Sequence, residues 1–168
     1  MTVVPTNQLQ LQGPEQFNFP LSADLLAIRE HKRHECFANA ALSWERAIWQ
    51  AMQSGSRQVI DAICAWRYCQ GWWLKRHHHN GALTPVIHGW LQTPVGVVDG
   101  TALLHANKPG DDYWLAVQSW TLDAFLDERA AFTGWPLSWE EGQPKLDQRP
   151  EYIGAILKAL KQLGLGDE

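Results

Sequence analysis

The sequence predicts an α+β domain, and two observations carry that prediction. One strongly amphipathic helical pattern precedes a group of short aromatic-rich segments typical of strands, and helical patterns return in the C-terminal third. The chain has 168 residues, of which 45% are hydrophobic and 19% charged, and this suits one globular domain with one core. No repeat or linker divides it. We therefore expect a polar N-terminal arm over residues 1–20 and a single α+β domain over residues 21–168.

Two helices are predicted in the first third of the domain. Ser22 is a good capping residue and helix formers follow it, which predicts a short helix from there to about residue 30. The second helix is predicted from Cys36 to Met52, where apolar residues recur every three or four positions, and Gly55 is its expected end. Its core-facing residues are predicted to be Phe37, Ala41, Trp44, Ile48 and Met52.

Strands are predicted in the middle of the chain. Aromatic residues favour a strand over 65–74, whereas 58–64 fits a helix as well. Two further strands, over 85–92 and 95–101, are expected to be joined by a type I turn with Pro94 in its second position. The polar segment between these groups, 75–82, is predicted to be a turn.

The turn sets a register for the two strands that it joins. If it is a simple turn, Gln92 lies opposite Val97 and His88 lies opposite Thr101. Asp99 is then the diagonal neighbour of His88 on the same face of the sheet, at about 7–8 Å between Cα atoms, within side-chain reach. A slip of one residue would move Asp99 to the other face.

The C-terminal third is predicted to contain one strand and two helices. The strand covers 113–119, and a helix follows from Thr121 to a point before Gly134. An irregular stretch over 135–148 precedes a last helix that begins at Pro150, a favoured first position.

Composition excludes several classes of function. The net charge of −4 comes without a basic cluster, so we expect neither a nucleic-acid partner nor binding to an anionic membrane. No apolar run approaches the roughly 18 residues of a membrane span, and the N-terminus lacks the pattern of a signal peptide. Three cysteines, an odd and low number, argue against a disulfide framework and favour the cytoplasm. The oligomeric state stays open.

The run His77-His78-His79 invites a metal site, but consecutive residues of an extended chain point to opposite sides and rarely converge on one ion. We expect an exposed loop there, and we expect neither a metal nor another cofactor in the protein.

Cys36 stands where the predicted long helix begins, and this position gives a thiol a means of activation. A helix N-terminus stabilises a thiolate through its partial positive charge and its free N–H groups. A thiol nucleophile also needs a histidine to take its proton and a polar group to orient that histidine. His88 and Asp99 are the candidates for these two roles. Asn39 and Gln70 are candidates for holding an oxyanion or lining the site, and Trp90 for shielding the histidine.

These residues resemble a known pattern. The chain order Cys, His, Asp, with cysteine at a helix start, is similar to the transglutaminase-like branch of the papain-like cysteine hydrolases. The similarity spans roughly residues 30–105, and a group of uncharacterised bacterial and phage proteins shares it. The motifs that carry it are Cys36-x-x-Asn39-Ala40, Tyr68-x-x-Gly71-Trp72, His88-x-Trp90 and Asp99-x-Thr101.

The resemblance implies a fold in which an N-terminal helix bearing the cysteine packs on a small antiparallel sheet, with helices at the C-terminus. It implies a hydrolase or acyl-transferase that attacks an amide of a protein or peptide through a thioester. The chain departs from the family at Gly89 and Gly100, where alanine and proline are usual, and at Gln70, where an acidic residue is usual.

Three other interpretations stay open. Cys36 could be a buried structural residue, since a lone cysteine in a helix usually is. It could bind a metal together with His88. The protein could also be an inactive peptide-binding or protein-binding module on the same fold. Its surface would then use some of the ten tryptophans, which could equally form the core: 44, 49, 66, 72, 73, 90, 114, 120, 135 and 139.

Overall fold

The computed structural model describes residues 2–3, 10–28, 35–77, 79–105 and 111–131, and a few isolated positions after 150. Over these residues the chain is a mixed α+β structure in which five α-helices accompany a six-stranded antiparallel sheet. The α+β class predicted from the sequence is therefore confirmed.

The sheet is built around β3, which lies between β6 on one side and β4 on the other. β5 pairs with the end of β4, and two short N-terminal strands, β1 and β2, pair with β6. The three long predicted strands are confirmed with shifts of two residues or fewer. The strands are β1 (Thr2–Val3), β2 (Leu11–Gln12), β3 (Arg67–Arg76), β4 (Leu83–Thr93), β5 (Gly96–Val98) and β6 (Tyr113–Trp120).

The longest helix begins and ends where the sequence predicts. Its first residue is Cys36, and Gly55 follows its last turn with φ of 65° and donates its N–H to the carbonyl of Met52. Such a left-handed cap favours glycine, which has no Cβ to clash. The segment left open between helix and strand is a helix, α3. The helices are α1 (Phe19–Ile28), α2 (Cys36–Ser54), α3 (Arg57–Cys64), α4 (Gly100–His105) and α5 (Leu122–Ala131).

The first helix starts earlier than predicted. Asn18, rather than Ser22, caps α1, because Asn18 Oδ1 accepts a hydrogen bond from the N–H of Leu21 at 3.0 Å. Pro20 in the first turn has no N–H that needs a partner, which makes this start favourable. Ser22 lies inside the helix and donates its hydroxyl to the carbonyl of Asn18. The prediction of Ser22 as the cap was wrong.

The polar lead-in contributes to the sheet where the structure describes it. Leu11 and Gln12 pair with Leu115 and Trp114 of β6, and Phe17 forms a bridge to Val97 of β5. The lead-in therefore joins the two sides of the sheet, which composition alone did not predict.

One face of the sheet is covered by α2. Its small residues, Ala40, Ala41 and Ala47, are buried against the sheet together with Trp44. The alanine side of the helix makes this contact, so Met52, predicted to face the core, is 62% exposed. The prediction for Met52 was wrong because Ala51, one position earlier, is the residue that turns inward.

The tryptophans form the interior of the protein. Of the eight that the structure describes, seven are at most 7% exposed, and Trp49 is the exception at 50%. A groove lined by tryptophans is therefore not seen in the described ranges. Trp135 and Trp139 lie outside them.

The turn between β4 and β5 sets the register that the sequence predicts, with Gln92 opposite Val97. The strand is shorter than the predicted 95–101, however, and ends at Val98. The predicted pairing of His88 with Thr101 was wrong, because Thr101 already belongs to α4. Asp99 ends the strand, because its Oδ1 accepts the N–H of Ala102 at 2.9 Å and so caps α4.

The C-terminal predictions are only partly within the described residues. α5 confirms the helix predicted after Thr121. The irregular stretch at 135–148 lies outside the description, as does most of the last predicted helix, of which four positions have helical backbone. In the described part of the chain, no helix is long and apolar enough to cross a bilayer.

Candidate active site

The centre of the site is a buried pair formed by His88 and Asp99. His88 Nε2 lies 2.7 Å from Asp99 Oδ2, and the two residues are 2% and 3% exposed. His88 comes from β4, and Asp99 follows the strand that pairs with the end of β4. The short turn between those strands therefore brings the two side chains together.

Four hydrogen bonds fix Asp99. In addition to His88, its Oδ2 accepts the indole N–H of Trp114 at 3.0 Å, and its Oδ1 accepts the N–H of Ala102. Its own N–H donates to Ser22 Oγ at 3.0 Å. The carboxylate is thus held by β4, β6 and α4, and its backbone by α1. Such a carboxylate has little freedom to turn away from the histidine.

The pair carries opposite charges. Burial favours the neutral form of each group, but the interaction with Asp99 overcomes it for His88, and contact with Cys36 adds to the effect. The pKa of His88 is therefore raised. Burial likewise opposes ionisation of Asp99, but His88, Ala102 and Trp114 together hold its pKa below the usual value. The geometry favours an imidazolium–carboxylate pair.

Cys36 is the first residue of α2 and is partly exposed. Interaction of the Cys36 side chain with the His88 imidazole is among the causes that raise the pKa of His88. Because Nε2 of the ring is engaged by Asp99, Nδ1 is the nitrogen left for the sulfur. The structure therefore brings Cys36, His88 and Asp99 together in the order that a nucleophile, a base and an orienting group require.

Gly89 gives the start of α2 room to approach β4. A Cβ at this position would lie 2.7 Å from Phe37 Cδ1 and 3.2 Å from Phe37 Cα, closer than packed side chains tolerate. Phe37 follows Cys36 directly, so the missing side chain lets Cys36 come close to His88. The glycine at position 89 thus has a steric reason in this chain.

Two indole rings flank the imidazole of His88. The centroid of Trp73 lies 5.0 Å away, and Trp90 stacks at 6.3 Å with 17° between the planes. Trp73 is itself held by Asp112, whose Oδ2 accepts the indole N–H at 3.0 Å. Trp90, expected beside the histidine, does lie there.

The other two candidate residues each donate a hydrogen bond to a hydroxyl group. Asn39 is fully buried, and its side-chain N–H donates to Thr101 Oγ1 at 3.0 Å, which ties α2 to α4. Gln70 lies opposite Gly89 in the sheet and donates to the Tyr68 hydroxyl at 3.0 Å. Asn39 therefore helps to position the helix that bears Cys36. Gln70 and Tyr68 form a polar pair beside Gly89.

Sequence reasoning missed several residues of the site. Ser22, Trp73 and Trp114 carry no signal that links them to a histidine far along the chain. Asp111 and Asp112 follow a Pro-Gly pair, a pattern that predicts an exposed turn, and for Asp112 this prediction is wrong, because Asp112 is only 4% exposed and also accepts the N–H of Arg76. The one hint in the sequence is that Asp112 comes directly before β6, the strand that contains Trp114.

The described residues contain no group of three or more side chains suited to a metal ion. His77 and His79 are exposed, and His77 Nε2 lies 2.7 Å from Thr84 Oγ1. His78 is outside the described residues. The exposure of His77 and His79 agrees with the exposed loop that the sequence predicts.

Comparison with protein-family models, with curated proteins and with solved structures finds no match to this chain. The chemistry of the site must therefore be argued from its own geometry.

Proposed function

We propose that the protein is a cysteine-dependent hydrolase or acyl-transferase that acts on an amide bond of a protein or peptide. The observation that carries the proposal is the buried His88–Asp99 pair, joined over 2.7 Å, with Cys36 interacting with the same imidazole. A structural cysteine needs neither a neighbouring histidine nor a carboxylate behind that histidine.

The reaction has two halves, formation of a thioester on Cys36 and breakdown of that thioester. Cys36 and His88 react as a thiolate–imidazolium pair in which His88 already holds the proton, and the thiolate sulfur attacks the carbonyl carbon of the substrate. Asp99 keeps the imidazolium in place without taking its proton. When the tetrahedral intermediate collapses, His88 gives the proton to the departing amine and a thioester remains on Cys36. In the second half His88 takes a proton from water or from an amine, and the oxygen or nitrogen attacks the thioester carbon. The carbon–sulfur bond then breaks and restores the Cys36 thiolate, which releases an acid in hydrolysis or deamidation and a new amide in transamidation.

The arrangement of elements supports a papain-like, transglutaminase-like fold as part of this proposal. The helix that starts at the nucleophile packs on an antiparallel sheet, and a strand of that sheet carries the histidine. The three cysteines are free, which fits a reducing compartment such as the cytoplasm.

The test is alkylation by iodoacetamide at mildly acidic pH, with each cysteine followed by peptide mass spectrometry. Cys36 should be labelled fast and selectively. Cys69 is an internal control, since burial raises the pKa of its thiol to about 12, and Cys64 is a second one. His88→Ala should slow the labelling of Cys36 sharply without changing the two controls. Equal, slow labelling of all three cysteines would contradict the proposal.

Cys36→Ser is the matched variant for activity. Incubation with an acyl donor should give the wild-type protein a hydroxylamine-sensitive acyl group on residue 36, and the serine variant should stay unmodified. Adding a primary amine as acceptor then separates transfer from hydrolysis by the product formed.

A further inference from the structure

We infer that the Tyr68 hydroxyl donates the hydrogen bond that stabilises the oxyanion formed when Cys36 attacks a carbonyl, and that Gln70 holds this hydroxyl in place. The inference rests on the proposed function of Cys36. It assigns a catalytic role to Tyr68 and a positioning role to Gln70.

Tyr68 and Gln70 lie two positions apart on β3, so their side chains share one face of the sheet. It is the face that α2 covers, since Tyr68 packs in the same cluster as Ala41 and Trp44. Gln70 lies directly across from Gly89 of β4, the neighbour of His88. The strand pairing thus places both polar side chains beside the catalytic histidine's strand.

The Tyr68 hydroxyl and the start of α2 both pack closely against Gly89. A Cβ at Gly89 would lie 3.1 Å from Tyr68 Oη and 2.7 Å from Phe37 Cδ1, so both atoms lie on the same side of β4. Phe37 adjoins Cys36, and Tyr68 interacts electrostatically with the Cys36 thiol. A carbonyl attacked by that sulfur would therefore place its oxygen near the phenol.

The hydroxyl is arranged as a donor. Gln70 Nε2 donates to Tyr68 Oη at 3.0 Å, so the phenolic proton is directed elsewhere. Burial first, and then the neighbouring Cys36 and Cys69, raise the pKa of Tyr68 well above its usual value against the opposing effect of Gln70. The phenol therefore keeps its proton when a thiolate forms beside it.

Tyr68 acts in the step that forms the tetrahedral intermediate. The Cys36 sulfur forms a bond to the carbonyl carbon, and the π electrons of the carbonyl move to its oxygen, while His88 holds the thiol proton. Tyr68 donates a hydrogen bond to that oxygen and keeps its proton throughout. On collapse the electrons return, the carbon–nitrogen bond breaks, and the amine leaves with the proton from His88. A donor placed at a developing oxyanion contributes roughly 10²–10³-fold to such a reaction.

The experiment compares two reactions of the same thiol in full-length Tyr68→Phe. Alkylation by iodoacetamide displaces iodide and forms no oxyanion, whereas acylation by p-nitrophenyl acetate passes through a tetrahedral intermediate. We expect alkylation of Cys36 to change less than about twofold and acylation to fall roughly 100-fold. Tyr113→Phe, the same change at the start of β6 and away from Gly89, is the matched control and should alter neither rate.

Each outcome decides the inference. Acylation that stays within threefold of wild type would overturn it, and so would an equal loss in both reactions, because Tyr68 would then act on the thiolate rather than the oxyanion. Gln70→Ala, which removes the positioning amide, should give an intermediate loss of acylation alone and keeps the test valid if Tyr68→Phe folds poorly. A wild-type protein unreactive in both reactions would instead overturn the proposed function.

Discussion

The side-chain amide of Asn39 donates a hydrogen bond to the hydroxyl of Thr101 over 3.0 Å, although the two residues are 62 positions apart in the chain. Both side chains are buried, at 0% and 3% exposure. The bond connects the helix that starts at Cys36 with the helix that Asp99 caps. Two members of the candidate triad, Cys36 and Asp99, are therefore connected through the helices that this residue pair joins.

Asn39→Ala should destabilise the fold and slow the alkylation of Cys36. It leaves the Thr101 hydroxyl buried without this partner, which costs about 1–3 kcal/mol of the free energy of unfolding. Urea unfolding measures this cost. The double variant with Thr101→Val should lose less than the sum of the two single variants, since both partners are then absent. Strict additivity would show that the bond contributes nothing.

Gly89→Ala should separate α2 from β4. The added Cβ meets Phe37 Cδ1 at 2.7 Å, so the first turn of the helix must move. We expect a loss of about 1–3 kcal/mol in stability, typical of overpacking, and slower alkylation of Cys36. Gly154→Ala is the control, because a Cβ there meets no atom within 4 Å. Unchanged reactivity in Gly89→Ala would mean that the close approach is not needed.

The His88–Asp99 pair should make stability depend on pH in both directions. The pKa of His88 is raised from 6.5 to about 10, so its contribution is full below pH 6.5 and is lost as pH rises towards 10. The pKa of Asp99 is lowered from 3.8, so its contribution is present above that value and is lost as pH falls below it.

The measurement for the pair is the free energy of unfolding across this range for the wild type and Asp99→Asn. The difference between the two proteins should be largest between about pH 4 and pH 6.5 and should shrink at both ends. A difference that does not vary with pH would show that the two groups are not paired as charges.

Asp112 should support His88 indirectly through Trp73. Asp112→Ala leaves the Trp73 indole N–H and the Arg76 N–H without their acceptor, and we expect a loss of about 2–4 kcal/mol for the two groups. The freed indole should also let the imidazole move, so the alkylation of Cys36 should slow. Asp111→Ala, at the exposed neighbouring position, should do neither. Thermal unfolding and labelling rates of the two variants provide the comparison.

Local patterns predicted the elements that bring the site together. The spacing of apolar residues placed α2 with its first residue at Cys36, and the turn at Pro94 set the register that brings Asp99 to His88. These features depend on residues close in the chain, so their signals lie in short windows of sequence.

The supporting contacts could not be predicted in this way. Ser22 looked like a cap because capping is a local property, yet its hydroxyl accepts the N–H of Asp99 from a distant part of the chain. Asp112 looked exposed because aspartate in a turn usually is, and only the fold brings Trp73 to it. A polar residue that serves a distant partner has no local pattern that distinguishes it.

The four hydrogen bonds of Asp99 draw on α1, β4, α4 and, through Trp114, the late strand β6. During synthesis Cys36 leaves the ribosome long before Trp114 does. Until β6 docks, the Asp99 carboxylate lacks the Trp114 hydrogen bond that helps to fix it. Under the proposed function, the reactivity of Cys36 would therefore develop only after β6 has joined the sheet.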